Sequence, residues 1–240
     1  MTAMAAGLKQ VVGLGQVATT SRHVDGGVLV DGPIHWASNV FADSLIVLPV
    51  RDEHGGSSVV VVRSDAPGVR INPEPALMAL GSTASTSLEL NGVAVAAADV
   101  VTDDLAGFVG AIRPTFLLLQ FAFCSGAASA TIDGCRRKLT GINHVFADEA
   151  SALESDRDSV RNRLYRFAQA PDSVTPADLL RLRLDAGRLA VTGARLEATL
   201  CGGAGYASGT AVNRRFREIA FLPIQSPSEG QLRWELAQFE

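Results

Sequence analysis

The sequence predicts an α+β fold, in which an antiparallel β-barrel or β-sandwich domain (residues 1–104) is followed by an α-helical bundle domain (residues 105–240). In the first part, apolar residues occur in short β-branched runs separated by clusters of Gly, Pro, Asn and Asp, as in strands joined by turns. In the second part, apolar residues recur every three or four positions, as on one face of a helix. Because the two patterns are segregated along the chain, they favour α+β over α/β.

The predicted strands of the β domain lie in the runs QVATTSR, GVLVDG, SLIVLPV, SSVVVVR and TSLELNGVAV. Short strands spaced by roughly ten to fifteen residues are typical of an antiparallel sandwich or barrel. Two dipeptides between these runs, Asp25-Gly26 and Gly55-Gly56, favour tight turns. We therefore expect a hairpin at each of them.

The helical domain contains one long apolar stripe, formed by Leu182, Ala186, Leu189, Gly193, Leu196 and Leu200. Positions three or four residues apart lie on one face of a helix. Thr175 is the predicted N-cap of this helix, and Pro176 is its predicted first residue. Small side chains within the stripe allow a neighbouring helix to approach closely, as in a bundle.

Residues 114–132 carry no charged side chain and approach the length of the shortest transmembrane helix. Gln120 and several hydroxyl residues interrupt this segment, and its small residues lower its hydrophobicity. We therefore predict a buried core helix and no membrane association.

Composition narrows the classes of function. The net charge of −4 does not favour an electrostatic nucleic-acid binder. The three cysteines, Cys124, Cys135 and Cys201, are odd in number and form no C-x-x-C pair, which fits a reducing compartment better than a disulfide framework or a zinc site. The N-terminus lacks the pattern of a signal peptide, so a cytoplasmic location is expected.

Common catalytic motifs such as the P-loop, H-E-x-x-H and G-x-S-x-G do not occur in the sequence. Weaker patterns occur instead in a definite order: G-x-x-x-W-x-S-N, A-D-x-x-I-V, D-A-P-G-V, LGSTASTSLELNGVAV, R-P at a helix start, C-G-G-A-G-Y and R-R-F-R-E. In this order they resemble the middle β domain and the C-terminal helical domain of the acyl-CoA dehydrogenase family of flavoproteins. The resemblance spans nearly the whole chain, and the family's N-terminal helical domain has no counterpart in it.

The resemblance implies an FAD-dependent oxidoreductase that acts on the CH–CH group of an acyl thioester. It also implies an acyl-CoA or similar small molecule as substrate, an electron-accepting flavoprotein as partner, and assembly into a homodimer or homotetramer. Two alternatives stay open. One is a flavin-dependent monooxygenase of the same fold, and the other is a non-catalytic partner subunit or truncated remnant of a hetero-oligomeric enzyme.

For the cofactor, the resemblance makes Trp36 the residue that lies against the flavin ring and Ser38 the hydroxyl donor near its reactive nitrogen. A flat apolar ring needs a flat apolar wall, and a dipole beside the nitrogen tunes hydride acceptance. The alternative for Trp36 is that it caps the core of the β domain.

Four further residues match cofactor positions of the family. Thr2 corresponds to a Thr that contacts the ring, and Gly202 and Gly203 to a junction where a neighbouring subunit's cofactor approaches the backbone. Arg137 corresponds to an arginine that meets the flavin pyrophosphate of a partner subunit. The alternatives are that the glycines only end a helix and that Arg137 is a solvated surface residue.

Two residues match positions near the substrate. Arg113 corresponds to an arginine beside the substrate cleft, although the acid that usually precedes it is Gly110 here. Removal of an α-proton requires a base, and Glu229 is the candidate. We expect it in a Pro-bounded loop, with a pKa raised by apolar walls. Counting without gaps places Ser226 at the base position, so an ordinary exposed role for Glu229 stays open.

Overall fold

The computed structural model describes residues 2–239 and contains a seven-stranded β-sheet followed by a group of α-helices. The predicted α+β class is therefore confirmed. The chain divides into two compact units, Met1–Ile112 and Arg113–Glu240. The domain boundary predicted after residue 104 falls at the start of the longest helix and stays a prediction.

The sheet is open and mixed. Its strands are β1 (Thr20–Val24), β2 (Gly27–Ala37), β3 (Leu45–Asp52), β4 (Ser57–Arg63), β5 (Val69–Ile71), β6 (Thr86–Ala96) and β7 (Val100–Thr102). They follow the order β5-β6-β2-β1-β3-β4-β7, and all neighbours are antiparallel except β1 and β3, which are parallel. Barrel closure was the wrong expectation: within residues 2–239 the end strands β5 and β7 do not pair with each other, and strands of three residues offer few backbone groups for closure.

Both predicted hairpin turns are present. Asp25 and Gly26 connect β1 to β2, and Gly26 has a φ of 83° that only glycine adopts without strain. In the turn between β3 and β4, the Asp52 carboxylate accepts hydrogen bonds of 2.8 Å from the backbone N–H groups of His54 and Gly56. The turn chemistry read from the sequence therefore sets the register of both hairpins.

The core of the first unit is formed by alternate side chains of four strands. Val30, Ile46, Leu48, Val60 and Leu88 are completely buried and belong to β2, β3, β4 and β6. Full burial of one such side chain contributes about 1.5–3 kcal/mol. This core holds β2 in place, including the end of β2 that carries Trp36.

The helices are α1 (Ala5–Val11), α2 (Leu105–Arg136), α3 (Ala147–Gln169), α4 (Pro176–Cys201), α5 (Gly203–Tyr206), α6 (Ala211–Ile219) and α7 (Glu229–Leu236). The start of α4 is as predicted, because Thr175 Oγ1 accepts a hydrogen bond of 3.2 Å from the Asp178 backbone N–H and Pro176 is the first residue. Every residue of the predicted α4 stripe is buried. The stripe prediction is confirmed, and α4 is the central helix of the second unit.

The uncharged segment lies in α2, which is the one helix in residues 2–239 that is long and apolar enough to cross a membrane by length and composition. One side of α2 is buried in the helical core through Phe121, Cys124 and Ala128. The other side leaves Leu119 and Phe123 exposed. The buried side gives α2 the place of a core helix, as expected.

Candidate functional site

Trp36 lies on the surface of the first unit. It is 59% exposed, whereas Ile34 and Ala37 beside it on β2 are buried. Ser38, two residues further along the chain and just beyond the end of β2, is also exposed. The indole is therefore presented to solvent rather than capping the core.

A cavity of about 290 Å³ borders Trp36. It is lined by Ala3, Ala5, Ala6, Lys9, Leu14, Gly15, Gln16, Ala18, Thr19, Pro33, Ile34, His35, Trp36, Leu48 and Pro49. The lining contains no carboxylate, and its ionisable side chains are Lys9 and His35. Thr2 is the residue before Ala3 of this lining, and it forms an isolated β-bridge with Val47 of β3. The structure thus brings the start of the chain, the cavity and Trp36 into one region of the first unit.

Ser38 is the first of three linked hydroxyl groups. Its Oγ lies 2.6 Å from Ser85 Oγ, and Ser85 Oγ lies 2.8 Å from Thr83 Oγ1. Thr83 Oγ1 in turn donates to the Leu80 carbonyl oxygen at 2.7 Å. Thr83 and Ser85 belong to the segment LGSTASTSLELNGVAV, which carries part of the resemblance but does not by itself indicate a site. No local pattern reveals this contact, because Ser38 and Ser85 are 47 residues apart.

The backbone around these hydroxyls is strained. The residues other than glycine with positive φ in residues 2–239 are Asn39 (62°), Asp43 (60°), Leu80 (63°) and Ala84 (41°). They lie in two turns joined by backbone hydrogen bonds, from Asn39 to the Thr83 oxygen at 2.7 Å and from Val40 to the Ala84 oxygen at 3.1 Å. Asn and Asp adopt this conformation readily, whereas for Leu80 and Ala84 it costs on the order of 1–3 kcal/mol each, and such strain concentrates at functional sites. Ser38 is therefore held beside a strained pair of turns.

In the second unit, Arg113 is engaged in an ion pair. Its guanidinium donates to the carboxylate of Glu235, which is nearly buried on α7. Glu235 also accepts a hydrogen bond of 2.9 Å from Gln231. Arg113 is thus held within the helical unit, and its role toward a substrate stays a prediction.

Glu229 does not have the environment that we expected. It is the first residue of α7 instead of part of a loop, and its carboxylate pairs with Arg233 and, at 3.4 Å, with Arg188. The hydrogen bond from Arg233 lowers the pKa of Glu229, with a smaller contribution from Arg188. The expected raised pKa is therefore wrong. A carboxylate held by two arginines is a weak base in this arrangement, and Glu229 as the catalytic base stays a prediction that this geometry does not favour.

The backbone of Ser226 lies beside a buried cation that sequence analysis missed. Arg183 is 2% exposed and donates to Gln120 Oε1 at 3.3 Å and to the Leu222 carbonyl oxygen at 3.0 Å. Gln120 donates to the Ser226 carbonyl oxygen at 2.8 Å, while Ser226 Oγ is buried and has no hydrogen-bond partner among the described residues. The only sequence signal was an arginine next to the apolar stripe of α4, which is ordinary for a helix.

The two junction glycines have open space around them. Gly202 ends α4 with a φ of 57°, so it does end a helix, as the alternative in the sequence analysis proposed. A Cβ on Gly202 or on Gly203 would meet no atom within 4 Å. Gly205 is different, since a Cβ there would lie 2.3 Å from the Ala198 oxygen. Close packing therefore requires Gly205, which sequence analysis did not single out, while Gly202 and Gly203 leave their backbone accessible.

Arg137 lies just after α2, at the same end of the bundle as Gly202. The Asn143 side chain joins the two places by donating to the Lys138 carbonyl oxygen at 2.9 Å and to the Leu200 carbonyl oxygen at 3.0 Å. Arg137 is exposed. Three apolar side chains in the adjoining segments are also strongly exposed, namely Ile142 (89%), Val145 (81%) and Tyr206 (91%). The structure thus brings Arg137 and the glycine junction together next to apolar surface.

No family model and no curated protein matches the sequence. Solved structures match the fold. Acyl-CoA dehydrogenase from Geobacillus kaustophilus is 17% identical with a TM-score of 0.85, and the match covers 94% of this chain and 64% of that one. A glutaryl-CoA dehydrogenase from Mycobacterium smegmatis in complex with FADH2 is 16% identical with a TM-score of 0.81, and the match covers 92% of this chain and 60% of that one. FkbI, from biosynthesis of the methoxymalonyl extender unit of Fk520, is 23% identical with a TM-score of 0.78, and the match covers 94% of this chain and 66% of that one.

The chain therefore has the fold of the acyl-CoA dehydrogenases, and the resemblance seen in the sequence is confirmed at the level of the fold. It spans about two thirds or less of the length of the solved structures that it matches.

Proposed function

We propose that the chain is an acyl-CoA dehydrogenase-like, FAD-dependent oxidoreductase that acts on the CH–CH group of an acyl thioester. The observation that carries this proposal is the exposed indole of Trp36 beside the hydroxyl of Ser38, on a fold that a glutaryl-CoA dehydrogenase with bound FADH2 shares. The exposure of Trp36 supports the proposal because the indole borders a cavity of about 290 Å³, where a flat ring could lie against it.

The residues present fit FAD in both units. In the first unit, Trp36 offers a flat wall next to a cavity of about 290 Å³, and Thr2 lies close to its lining. In the second unit, Arg137 supplies an exposed cation for a diphosphate, and Gly202 and Gly203 leave the backbone open to a ligand. When bound, FAD supplies a two-electron acceptor for a hydride from the substrate. The chain's own residues bind and orient it.

The same reaction requires a base for the α-proton of the thioester. Glu229 is the candidate within our proposal, and it must first be released from Arg188 and Arg233, because both arginines favour its charged form. Arg113 is the proposed substrate residue and is likewise held by Glu235. Binding of an acyl-CoA or similar substrate therefore has to compete with these ion pairs.

We further propose that the chain works as a homodimer or homotetramer and passes electrons to a separate flavoprotein. The exposed apolar residues Ile142, Val145 and Tyr206 support association at the bundle end that carries Arg137. It is also the end at which the resemblance places the cofactor of a neighbouring subunit, near Gly202 and Gly203.

One observation favours a second candidate. The Glu229 carboxylate is tied to two arginines, and Ser226 stands at the ungapped base position. A flavin-dependent monooxygenase of this fold needs no such base, because its reduced flavin reacts with oxygen.

The deciding experiment is the flavin content of the purified protein, followed by anaerobic mixing with acyl-CoA compounds. We expect bound FAD with quenched fluorescence, and bleaching of the flavin by an acyl-CoA. Trp36→Ala should lose most of the flavin, since stacking contributes about 1–3 kcal/mol. Trp234→Ala is the matched control, because Trp234 is also partly exposed but lies on α7. A protein that takes up no added FAD contradicts the proposal, and bleaching by NAD(P)H alone favours the monooxygenase.

A further inference from the structure

The hydroxyl groups of Ser38, Ser85 and Thr83 form a chain whose hydrogen order can be worked out. The chain has three short contacts: Ser38 to Ser85 at 2.6 Å, Ser85 to Thr83 at 2.8 Å, and Thr83 to the Leu80 carbonyl oxygen at 2.7 Å. Each hydroxyl has a single hydrogen to donate. Three hydrogens must therefore serve three contacts.

The last contact fixes the direction of the others. A carbonyl oxygen only accepts, so the hydrogen of Thr83 goes to Leu80. The hydrogen between Ser85 and Thr83 then has to come from Ser85, and the hydrogen between Ser38 and Ser85 has to come from Ser38. Any other order leaves two oxygens at hydrogen-bond distance without a hydrogen between them, which is unfavourable in a buried place such as that of Ser85.

We propose that Ser85 and Thr83 are positioning residues that fix the Ser38 hydroxyl as a hydrogen-bond acceptor toward the exposed side of Ser38. The hydrogen of Ser38 points inward to Ser85, so the lone pairs of Ser38 are what the exposed side offers a ligand. This reverses the donor role that the resemblance implied for Ser38. A ligand with an N–H or O–H group at this place is favoured over one with an acceptor.

For a flavin, the consequence rests on the proposed function. Hydride transfer adds two electrons and one hydrogen to the oxidised ring, so a ring nitrogen that accepted hydrogen bonds becomes an N–H donor. A Ser38 that accepts favours the reduced ring. A Ser38 that donates favours the oxidised ring. The hydroxyl chain is thereby expected to raise the reduction potential of the bound flavin.

The order of the hydrogens can be tested without any flavin. Neutron diffraction from deuterium-exchanged crystals of the flavin-free chain locates the deuterium of each hydroxyl. We expect the deuterium between Ser38 and Ser85 to be bonded to Ser38 Oγ, and that between Ser85 and Thr83 to be bonded to Ser85 Oγ. Deuterium bonded to Ser85 in the first contact overturns the proposal.

The functional consequence is tested with a matched pair of variants. Thr83→Val removes the acceptor for Ser85, which can then donate to Ser38 and free the Ser38 hydrogen for the ligand. Thr83→Ser keeps the hydroxyl and preserves the order. We expect Thr83→Val, but not Thr83→Ser, to shift the ratio of the dissociation constants for oxidised and reduced FAD about fivefold in favour of the oxidised form, the size of one hydrogen bond. For a two-electron couple this lowers the potential by about 20 mV.

Ser85→Ala gives a second route to the same result, because it also frees the hydrogen of Ser38. The proposal is overturned if Thr83→Val and Thr83→Ser change the ratio equally, since a merely structural role does not distinguish them. If folded wild-type protein binds neither form of FAD, the proposed function fails, and the neutron result alone confirms or overturns the hydrogen order.

Discussion

Arg215 and Glu197 form an ion pair inside the helical unit, between α6 and α4. Glu197 is 2% exposed and accepts two hydrogen bonds from the Arg215 guanidinium, one of them at 3.1 Å from Nε. The pair explains the absence of a side chain at Gly134, because a Cβ there would lie 1.9 Å from Glu197 Oε1. It also anchors the R-R-F-R-E segment, whose arginines are otherwise indistinguishable in the sequence.

Removal of one partner of this pair should be costly. Arg215→Ala leaves a buried carboxylate without its cation, which typically costs about 3–5 kcal/mol. Urea unfolding followed by circular dichroism measures the change. The matched control is Arg214→Ala, whose partner Glu218 lies at 3.7 Å on the exposed surface, and which should cost less than about 1 kcal/mol. Equal effects of the two variants would show that the buried pair contributes no more than a surface pair.

Two glycine substitutions in the helical unit should change the free energy of unfolding in opposite directions. Gly202→Ala places an alanine at a φ of 57° and a ψ of −133°, a conformation essentially restricted to glycine, and we expect a loss of more than about 1 kcal/mol in the free energy of unfolding. Gly126→Ala lies inside α2, where a Cβ meets no atom within 4 Å, and we expect a gain of about 0.5–1 kcal/mol. Thermal unfolding measures both. A stabilising Gly202→Ala would contradict the glycine-specific conformation at the end of α4.

The cysteines should differ in their reactivity. Burial raises the pKa of Cys124 to about 11 and that of Cys135 to about 12, so neither forms thiolate at pH 8. Cys201 is partly exposed. We expect a disulfide reagent to titrate one thiol quickly in the native protein and all three only after unfolding. The Cys201→Ser variant identifies the fast thiol, and a fast thiol that survives this change would contradict the assignment.

Association should depend on the apolar surface at one end of the bundle. We expect the double variant Ile142→Glu, Val145→Glu to shift the protein toward monomer in light scattering at micromolar concentration, because charges at an apolar interface have to be desolvated. Ile224→Glu is the control, as Ile224 is also exposed (70%) but precedes α7. If only the control variant dissociates, the interface lies elsewhere.

The role of Glu229 is testable through its ion pairs. If Glu229 is the base, Glu229→Gln should slow flavin reduction by acyl-CoA about 10²–10⁴-fold while FAD content is retained. Because the pairs lower its folded pKa, Glu229 also adds stability that is present above the unfolded pKa and is lost as pH falls through the folded pKa. Glu229→Gln should therefore flatten the acid limb of the stability profile, by a small amount because the side chain is partly exposed.

A control and a contrary outcome complete this test. Glu218→Gln is the control, because Glu218 also forms an i,i+4 ion pair on a helix surface, with Arg214. This variant should leave flavin reduction unchanged. Equal reduction rates in wild type and Glu229→Gln would assign Glu229 to the α7 ion pairs alone.

The features that the sequence predicted correctly are local ones. The Thr175 cap, the α4 stripe and the turn at Asp25-Gly26 each depend on side chains within a few residues of one another. Contacts between distant segments could not be predicted, because no short pattern encodes them. The contact of Ser38 with Ser85 and the pairing of Glu229 with Arg188 are of this kind.

The open sheet was missed for the same reason. The parallel pairing of β1 with β3 joins Thr20 to Arg51, across an intervening strand of the chain. The resemblance gave the right fold because it uses the order of motifs along the whole chain. The resemblance could not predict that Arg188 and Arg233 pair with Glu229. These two arginines lower the pKa of Glu229, which we had expected to be raised.

The pairing of β2 with β6 also bears on how the protein is made. Gly27 of β2 is opposite Ala96 of β6, so this pairing cannot form until the ribosome has released the chain well beyond residue 96. The β1–β2 hairpin can form long before that, through partners such as Val24 and Gly27. Until β6 emerges, one edge of β2 has no partner for its backbone hydrogen bonds and the core lacks Leu88 and Leu90, and closing so long a loop is slow. During synthesis the first unit is therefore expected to need shielding by a chaperone for longer than helices that form from neighbouring residues.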